Sequence, residues 1–278
     1  MSKSSSSAPW LCAGLVLWLL AFVVAPWIMN VRGAYPGGYL IVYLATLAGS
    51  IALTGWLGEA VGGGAQAVLF TSRNTYSLAR LQMTLWTLVV LSALIAAAVS
   101  RAWAGDMRIA LSVDMTPDLL TAMGISYGSA AAAPAVLTLK SRGVSQGELE
   151  AAASRQGESL TASGQVIGRP EGAAPSLFDL VMGDEVANAG TIDLAKVQQL
   201  VITILLVVFY ACQVGAWFIQ EPFYGLVSKL PDLEEHLVLL MLVSHGGYLA
   251  AKAASKPTPA ADDSKAGRPE PPATRSAS

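Results

Sequence analysis

The sequence predicts an all-α integral membrane protein with six transmembrane helices, and composition is the first observation that predicts it. Of the 278 residues, 54% are apolar and only 13% are charged, whereas an average soluble domain carries roughly 25% charged residues. A hydrocarbon core of about 30 Å needs about 20 helical residues. Uncharged apolar runs, five of which reach that length, cover residues 8–29, 34–58, 81–100, 119–139, 197–220 and 237–251.

The second observation is an internal repeat of a helical hairpin. Residues 75–82 read TYSLARLQ and residues 191–198 read TIDLAKVQ, and four of the eight positions are identical. The apolar run after each octet leads to Pro-Asp-Leu and then to a Ser-aromatic-Gly triplet, at 117–119 and 126–128 in the first copy and at 231–233 and 244–246 in the second. We therefore expect the third and fourth spans to be repeated by the fifth and sixth.

The distribution of basic residues predicts the orientation. If the N-terminus is cytoplasmic, the cytoplasmic segments hold thirteen Lys and Arg residues and the opposite segments hold four. The positive-inside rule then places both termini in the cytoplasm. Both hairpins run outward and return, so the repeat is parallel, with its pseudo-axis along the membrane normal.

Five segments follow from these runs. Residues 1–60 form an N-terminal transmembrane hairpin, whose first helix we expect to be retained; cleavage near Gly33 is the alternative. Residues 61–140 and 191–254 are the two repeat hairpins. Residues 141–190 form a cytoplasmic linker with an amphipathic segment, 176–186, that is expected at the membrane surface. Residues 255–278 form a disordered cytoplasmic tail rich in Pro, Ala, Ser and charge.

Polar groups inside membrane helices are the candidate functional residues, because burying them in a bilayer is costly. Gln82 and Gln198 occupy the same repeat position, and Ser126 and Ser244 occupy another. His245, Tyr248 and Lys252 share one face of the last helix at i, i+3 and i+7, and we expect this face to turn toward protein. The sequence predicts a polar layer in the inner leaflet that contains His245 and at least one of the two glutamines.

Small residues four apart predict close helix contacts. Gly124, Gly128 and Ala132 form such a stripe in the fourth span, and Ala211 and Gly215 form one in the fifth. Packing inside the bundle is the favoured interpretation. Homodimerisation through the fourth span is the alternative.

The quoted motifs resemble an uncharacterised family of bacterial multi-pass membrane proteins. The resemblance rests on Arg80-Leu81-Gln82, on residues 123–128 (MGISYG), on 244–252 (SHGGYLAAK) and on 177–186, and it spans roughly residues 69–252. It implies a bacterial membrane location and carries over no catalytic residues. The first copy departs at 129–134, where an Ala run and Pro134 replace Gly-Tyr-Leu.

The expected function is a non-enzymatic membrane scaffold or assembly component. A small channel or transporter using a polar layer around His245, Gln82 and Gln198 is the alternative, and a membrane-embedded enzyme ranks third. No carboxylate lies inside an apolar run, and no catalytic, metal or phosphate-binding motif stands in a usable context. We expect no cofactor and no nucleic acid as partner. The expected partners are the lipid bilayer and a second copy or another membrane protein.

Overall fold

The computed structural model describes residues 38–103, 111–220 and 227–254, and these are mainly helical. The α-helices are α1 (Gly38–Ala60), α2 (Leu78–Trp103), α3 (Pro117–Thr138), α4 (Gln146–Gln156), α5 (Leu194–Gln220) and α6 (Glu235–Ala253). Strands β1 (Thr161–Ser163) and β2 (Val166–Gly168) form one antiparallel hairpin. Three short 3-10 turns cover Ala67–Leu69, Leu177–Leu180 and Val186–Asn188.

Four of the described helices are long and apolar enough to cross a membrane, which supports a membrane-embedded protein. They are Tyr39–Ala60, Leu78–Ala102, Pro117–Thr138 and Leu194–Gln220. The first predicted span, 8–29, lies outside the described residues. The sixth predicted span, α6, is not among the four, because its 19 residues include Glu235, His236 and Lys252. The count of six spans therefore stays a prediction.

Helix α2 is the centre of the bundle. Half of the residues in the most apolar stretch of α2 are buried, compared with 17–28% in the other three spans. Trp86 of α2 is fully buried, and its ring centroid lies 5.8 Å from that of Tyr210 on α5. Helix α1 packs along α2, where Thr46 Oγ1 donates to the Ser92 carbonyl at 3.1 Å. Helix α3 packs mainly along α6.

The small-residue stripes have different roles. In α5, Ala211 is half-buried, Gly215 is buried, and a Cβ on Gly215 would come 3.4 Å from Leu40 Cδ1 of α1. In α3, however, Gly124 and Gly128 are exposed, and a Cβ on either would meet no atom within 4 Å. Ala132 is half-buried. The prediction that Gly124 and Gly128 pack inside the bundle is therefore wrong within the described residues, because α3 turns this face outward.

Four residues of the sequence predict helix starts: Ser77 and Asp193 are N-cap types before apolar runs, and Pro117 and Pro231 suit the first turn of a returning helix. The structure confirms three of these four positions. The side chains of Ser77 and Asp193 accept hydrogen bonds from the backbone N–H groups of Arg80 and Ala195, at the starts of α2 and α5. Pro117 begins α3, with Thr116 as N-cap. The second Pro-Asp-Leu differs, because α6 begins only at Glu235 and Pro231 lies in the preceding extended segment.

The segment predicted as a linker, 141–190, is folded in the structure, and the short helix that its sequence suggests around 145–155 is present as α4. Residues 139–193 form a cap that contains α4, the β-hairpin and two 3-10 turns. A capping box of Ser145 and Glu148 begins α4, and Gly157 ends it in the left-handed conformation. A small core stabilises the cap and consists of Ala152, Ile167, Val186 and Ala189.

The cap lies at the end of the bundle where α2 and α5 begin and α3 and α6 end. Asp179 of the cap accepts a hydrogen bond from the Tyr76 N–H just before α2, at 3.1 Å. Lys140, just after α3, donates to the Ala254 carbonyl at the end of α6, at 2.8 Å. The loops at the other end meet around Arg101, which donates to the carbonyls of Ser112 and Val227. Both described hairpins thus start and return on the cap side.

Candidate functional site

A polar layer joins three helices inside the bundle. Gln82 of α2 donates through Nε2 to Thr203 Oγ1 of α5 at 2.8 Å, and both side chains are buried. One turn earlier on α5, Gln199 accepts a hydrogen bond from Ser244 of α6 through its Oε1. Thr203 and Gln199 are four residues apart, so they share a face of α5. We call these four residues, together with His245 and Ser126, the polar layer.

Several atoms of the polar layer are buried and have no hydrogen-bond partner among the described residues. They are Gln82 Oε1, Gln199 Nε2, His245 Nδ1 and Ser126 Oγ. His245 is 3% exposed, and Gln82 and Ser126 are fully buried. A buried polar atom that lacks a partner costs roughly 1–3 kcal/mol. Some polar groups of the layer therefore connect the helices by hydrogen bonds, and others remain able to form a hydrogen bond.

The predicted site residues fall into two groups in the structure. Gln82, Ser126, Ser244, His245 and Tyr248 are buried, and the predicted face of α6 turns toward protein. Gln198, in contrast, is exposed, and its neighbour Gln199 is the buried glutamine. The prediction that Gln198 belongs to the polar layer is wrong, since one helical position rotates a side chain by about 100°.

Lys252 belongs to a second cluster, at the junction of the bundle and the cap. Asp184 of the cap accepts from Lys196 Nζ of α5 through Oδ1 at 2.6 Å and from Lys252 Nζ of α6 through Oδ2 at 2.7 Å. Lys196 also donates to the Asp179 carbonyl, and Lys252 donates to Tyr248 Oη. We call the trio of Asp184, Lys196 and Lys252 the clasp. One carboxylate thereby connects the cap to two helices.

Burial and charge act in opposite directions on the clasp carboxylate. Burial by itself raises the pKa of Asp184, but the ammonium groups of Lys196 and Lys252 outweigh burial and hold that pKa well below its usual range. Asp184 is therefore ionised at every physiological pH. The residues around the clasp leave a space of only about 10 Å³, which is about the volume needed for one water molecule. The clasp has no room for a substrate.

Three further ion pairs fix the cap. Lys140 Nζ contacts Glu185 Oε1 at 2.7 Å, and each of these side chains is at most 7% exposed. Arg169 follows β2, and its Nη1 donates to both carboxylate oxygens of Asp179 at 2.6 and 2.7 Å. Its Nε donates to Glu158 at 2.7 Å. Charges paired in this way tolerate burial. Removing only one partner of a pair leaves the other buried and uncompensated, which destabilises the cap.

Four residues of the site were not among those predicted from the sequence: Asp184, Arg169, Gln199 and Thr203. Asp184 and Glu185 lie within residues 177–186, one of the segments on which the family resemblance rests. That resemblance was a signal that could have pointed to them. Gln199 stands directly beside Gln198, and the repeat alignment selected the wrong one. No local pattern marks Thr203 or Arg169, because their partners are 121 and 10 residues away.

Comparisons with models of known protein families, with curated proteins and with solved structures find no match to this chain. The fold and the site therefore define its class by themselves. It is a helical, membrane-embedded protein with a folded cap at one end of the bundle.

Proposed function

We propose that the protein is a non-enzymatic scaffold or assembly component of a bacterial inner membrane. The clasp is the observation that supports this proposal. Its charges hold the cap rigidly against α5 and α6, and the space of about 10 Å³ enclosed around Asp184, Lys196 and Lys252 does not admit a substrate. A rigid cap on a membrane bundle presents a fixed surface, which is what an assembly component needs. The partner is another membrane protein or a second copy of the chain.

Partner retention tests the scaffold role. Crosslinking in intact membranes followed by purification is expected to recover a stoichiometric partner with the wild-type chain. Disconnecting the cap by Asp184→Asn is expected to lose that partner while the chain still inserts. Recovery of the chain alone under conditions that retain other membrane complexes would reject the scaffold role.

We also propose that both termini and the cap are cytoplasmic, as the basic residues predict. In a chain carrying Cys12→Ser and Cys212→Ser, a membrane-impermeant maleimide is expected to label Leu111→Cys in whole cells. Leu111 is 89% exposed at the end opposite the cap. Glu171→Cys, exposed on the cap, is expected to react only after the membrane is broken. Labelling in the opposite order would invert the orientation.

A small channel or transporter is the second candidate function, and the unpartnered atoms of the polar layer favour it. Gln82 Oε1, Gln199 Nε2 and His245 Nδ1 could each bind a passing water or solute. Under this hypothesis His245→Gln abolishes flux in proteoliposomes although the protein inserts normally. Under the scaffold hypothesis the same change leaves partner binding intact, because glutamine keeps hydrogen-bonding capacity at this position.

His245→Leu is the matched control for that experiment, because it fills the buried site with an apolar side chain and removes all hydrogen bonding. If His245 has only a structural role, His245→Leu is expected to lower the stability of the protein only slightly, since Nδ1 has no hydrogen-bond partner in the described part of the chain. Thermal unfolding in detergent measures this. A large loss of stability with leucine but not with glutamine would show that a second, donor contact of the ring matters.

A further inference from the structure

A crevice of about 350 Å³ lies where α2 begins, α3 ends and the β-hairpin approaches both. One wall is polar and contains Thr71, Ser72 and Ser77, which precede α2. The other wall is apolar and belongs to α3, with Ala130, Ala133 and Leu137. A site with one polar and one apolar wall fits a ligand that is itself amphipathic. We call this space the basic crevice, because its charged lining residues are all cationic.

Those cationic residues are Arg73, Arg80 and Lys252. Lys252 is paired with Asp184 of the clasp, which it shares with Lys196. Arg73 makes no side-chain hydrogen bond or ion pair with any residue in the described part of the chain, although it is only half-exposed. Arg80 donates one hydrogen bond from Nη1 to the Phe70 carbonyl and has no acidic partner there. Two guanidinium groups thus remain available, and this group matches a phosphate in geometry and charge.

The start of α2 adds to the positive potential. The helix begins at Leu78. The Ser77 side chain accepts from the Arg80 N–H, and the Ser77 carbonyl accepts from the Leu81 N–H. The remaining N–H groups and the dipole of a 26-residue helix favour an anion at this end. Thr71 and Ser72 line the same space. The Thr71 hydroxyl already contacts Thr75 Oγ1 at 2.8 Å, and Ser72 brings a second hydroxyl that can donate a hydrogen bond.

The position of the basic crevice along the bundle selects the kind of ligand. It lies at the ends of α2 and α3, both long and apolar enough to span a membrane, and therefore at the depth of lipid headgroups. Large apolar side chains stand exposed at the same end, with Leu139 at 82%, Leu177 at 63% and Phe178 at 64%. Exposed apolar groups beside cationic ones are typical of an interface with anionic lipid.

We propose that the basic crevice binds a phosphate group, held by Arg73, Arg80 and the start of α2. The phosphate is that of an anionic phospholipid whose acyl chains run along the apolar wall of α3, and a free phosphate ion is the other source with the same chemistry. Pro134 of the crevice has no N–H, so the Ala130 carbonyl lacks its helical donor and can accept from a headgroup hydroxyl. The proposal does not depend on the scaffold role.

The test uses the purified full-length chain in a neutral detergent. Thermal unfolding is followed by tryptophan fluorescence while dioctanoyl phosphatidylglycerol, dioctanoyl phosphatidylcholine or sodium phosphate is added. We expect a saturable rise in Tm with phosphatidylglycerol and little with phosphatidylcholine. The Arg73→Gln/Arg80→Gln chain is expected to bind at least about tenfold more weakly, because each charge-assisted hydrogen bond contributes more than a neutral one.

Arg142→Gln is the matched control, because Arg142 is an exposed cap residue outside the basic crevice. It is expected to bind like the wild type. A shift with phosphatidylglycerol alone identifies the lipid as the source, and an equal shift with sodium phosphate identifies the free ion. Equal affinity of the double variant and the Arg142→Gln chain for both ligands would overturn the proposal. So would the absence of any shift with either phosphate compound.

Discussion

Asp184→Asn is expected to lower the free energy of unfolding by about 3 kcal/mol. The change leaves the ammonium groups of Lys196 and Lys252 next to each other, with side chains only 4% and 10% exposed and no carboxylate between them. Breaking a buried ion pair from one side typically costs 3–5 kcal/mol, and the 22% exposure of Asp184 places this case at the lower end. Unfolding in mixed micelles with increasing denaturing detergent measures the difference.

Asp232→Asn is the control for that measurement. Asp232 also pairs with a lysine, Lys229, at 3.2 Å, but both side chains are more than half exposed. Water screens such a pair, so we expect a much smaller change. A second control replaces the clasp by apolar residues, as Asp184→Leu/Lys196→Met/Lys252→Met, and is expected to recover most of the lost stability. Equal losses from Asp184→Asn and Asp232→Asn would show that the clasp is not buried.

The pH dependence of stability follows from the same carboxylate. The folded pKa of Asp184 lies below its ordinary value of 3.8, so the contribution of Asp184 is complete above that pH and is lost as the pH falls below it. The wild type is therefore expected to keep the clasp contribution from pH 8 to pH 5. The difference in stability between wild type and Asp184→Asn is expected to be constant over this range and to shrink below about pH 4.

Gly164→Ala is expected to produce the second large effect, by separating the β-hairpin from the end of α3. Gly164 has a φ of +62°, which disfavours any residue with a Cβ. A Cβ there would also lie 2.4 Å from the Lys140 carbonyl oxygen and 3.0 Å from Ser141 Cα. These are backbone atoms, and the same carbonyl accepts the Gln165 N–H at 3.0 Å. We expect a loss of stability of about 2–4 kcal/mol.

Gly172→Ala separates the two causes of that loss. Gly172 has a φ of +85° in the same cap, but a Cβ there would meet no atom within 4 Å. It is expected to cost only the backbone strain, about 1 kcal/mol. Limited proteolysis of the cap, together with detergent unfolding, distinguishes the two variants. If both glycines tolerate alanine equally well, the contact between the hairpin and Lys140 does not stabilise the cap.

The sequence by itself determined the helices of the bundle and where most of them begin. Hydropathy indicated α1, α2, α3 and α5 to within a few residues, because a long uncharged run is stable in a bilayer only as a helix. Ser77, Asp193 and Pro117 marked three helix starts for equally local reasons, since a cap bonds N–H groups within one turn. The inward face of α6, with His245 and Tyr248, followed from helical spacing alone.

Only the tertiary structure decided which polar groups meet. Gln199 and not Gln198 joins Ser244, and Gln82 finds Thr203, because the rotation of α5 about its axis is set by the packing of its apolar side chains. The outward turn of Gly124 and Gly128 has the same cause.

The cap shows the same limit of local sequence signals most clearly. Its composition resembles that of a linker, yet it folds because Arg169, Lys140 and Asp184 find partners that stabilise buried charge. Asp184 pairs with Lys252 across 68 residues of chain. Burial is favourable for such a charge only when its partner is already in place, and that condition depends on the whole fold, which no segment of the sequence contains.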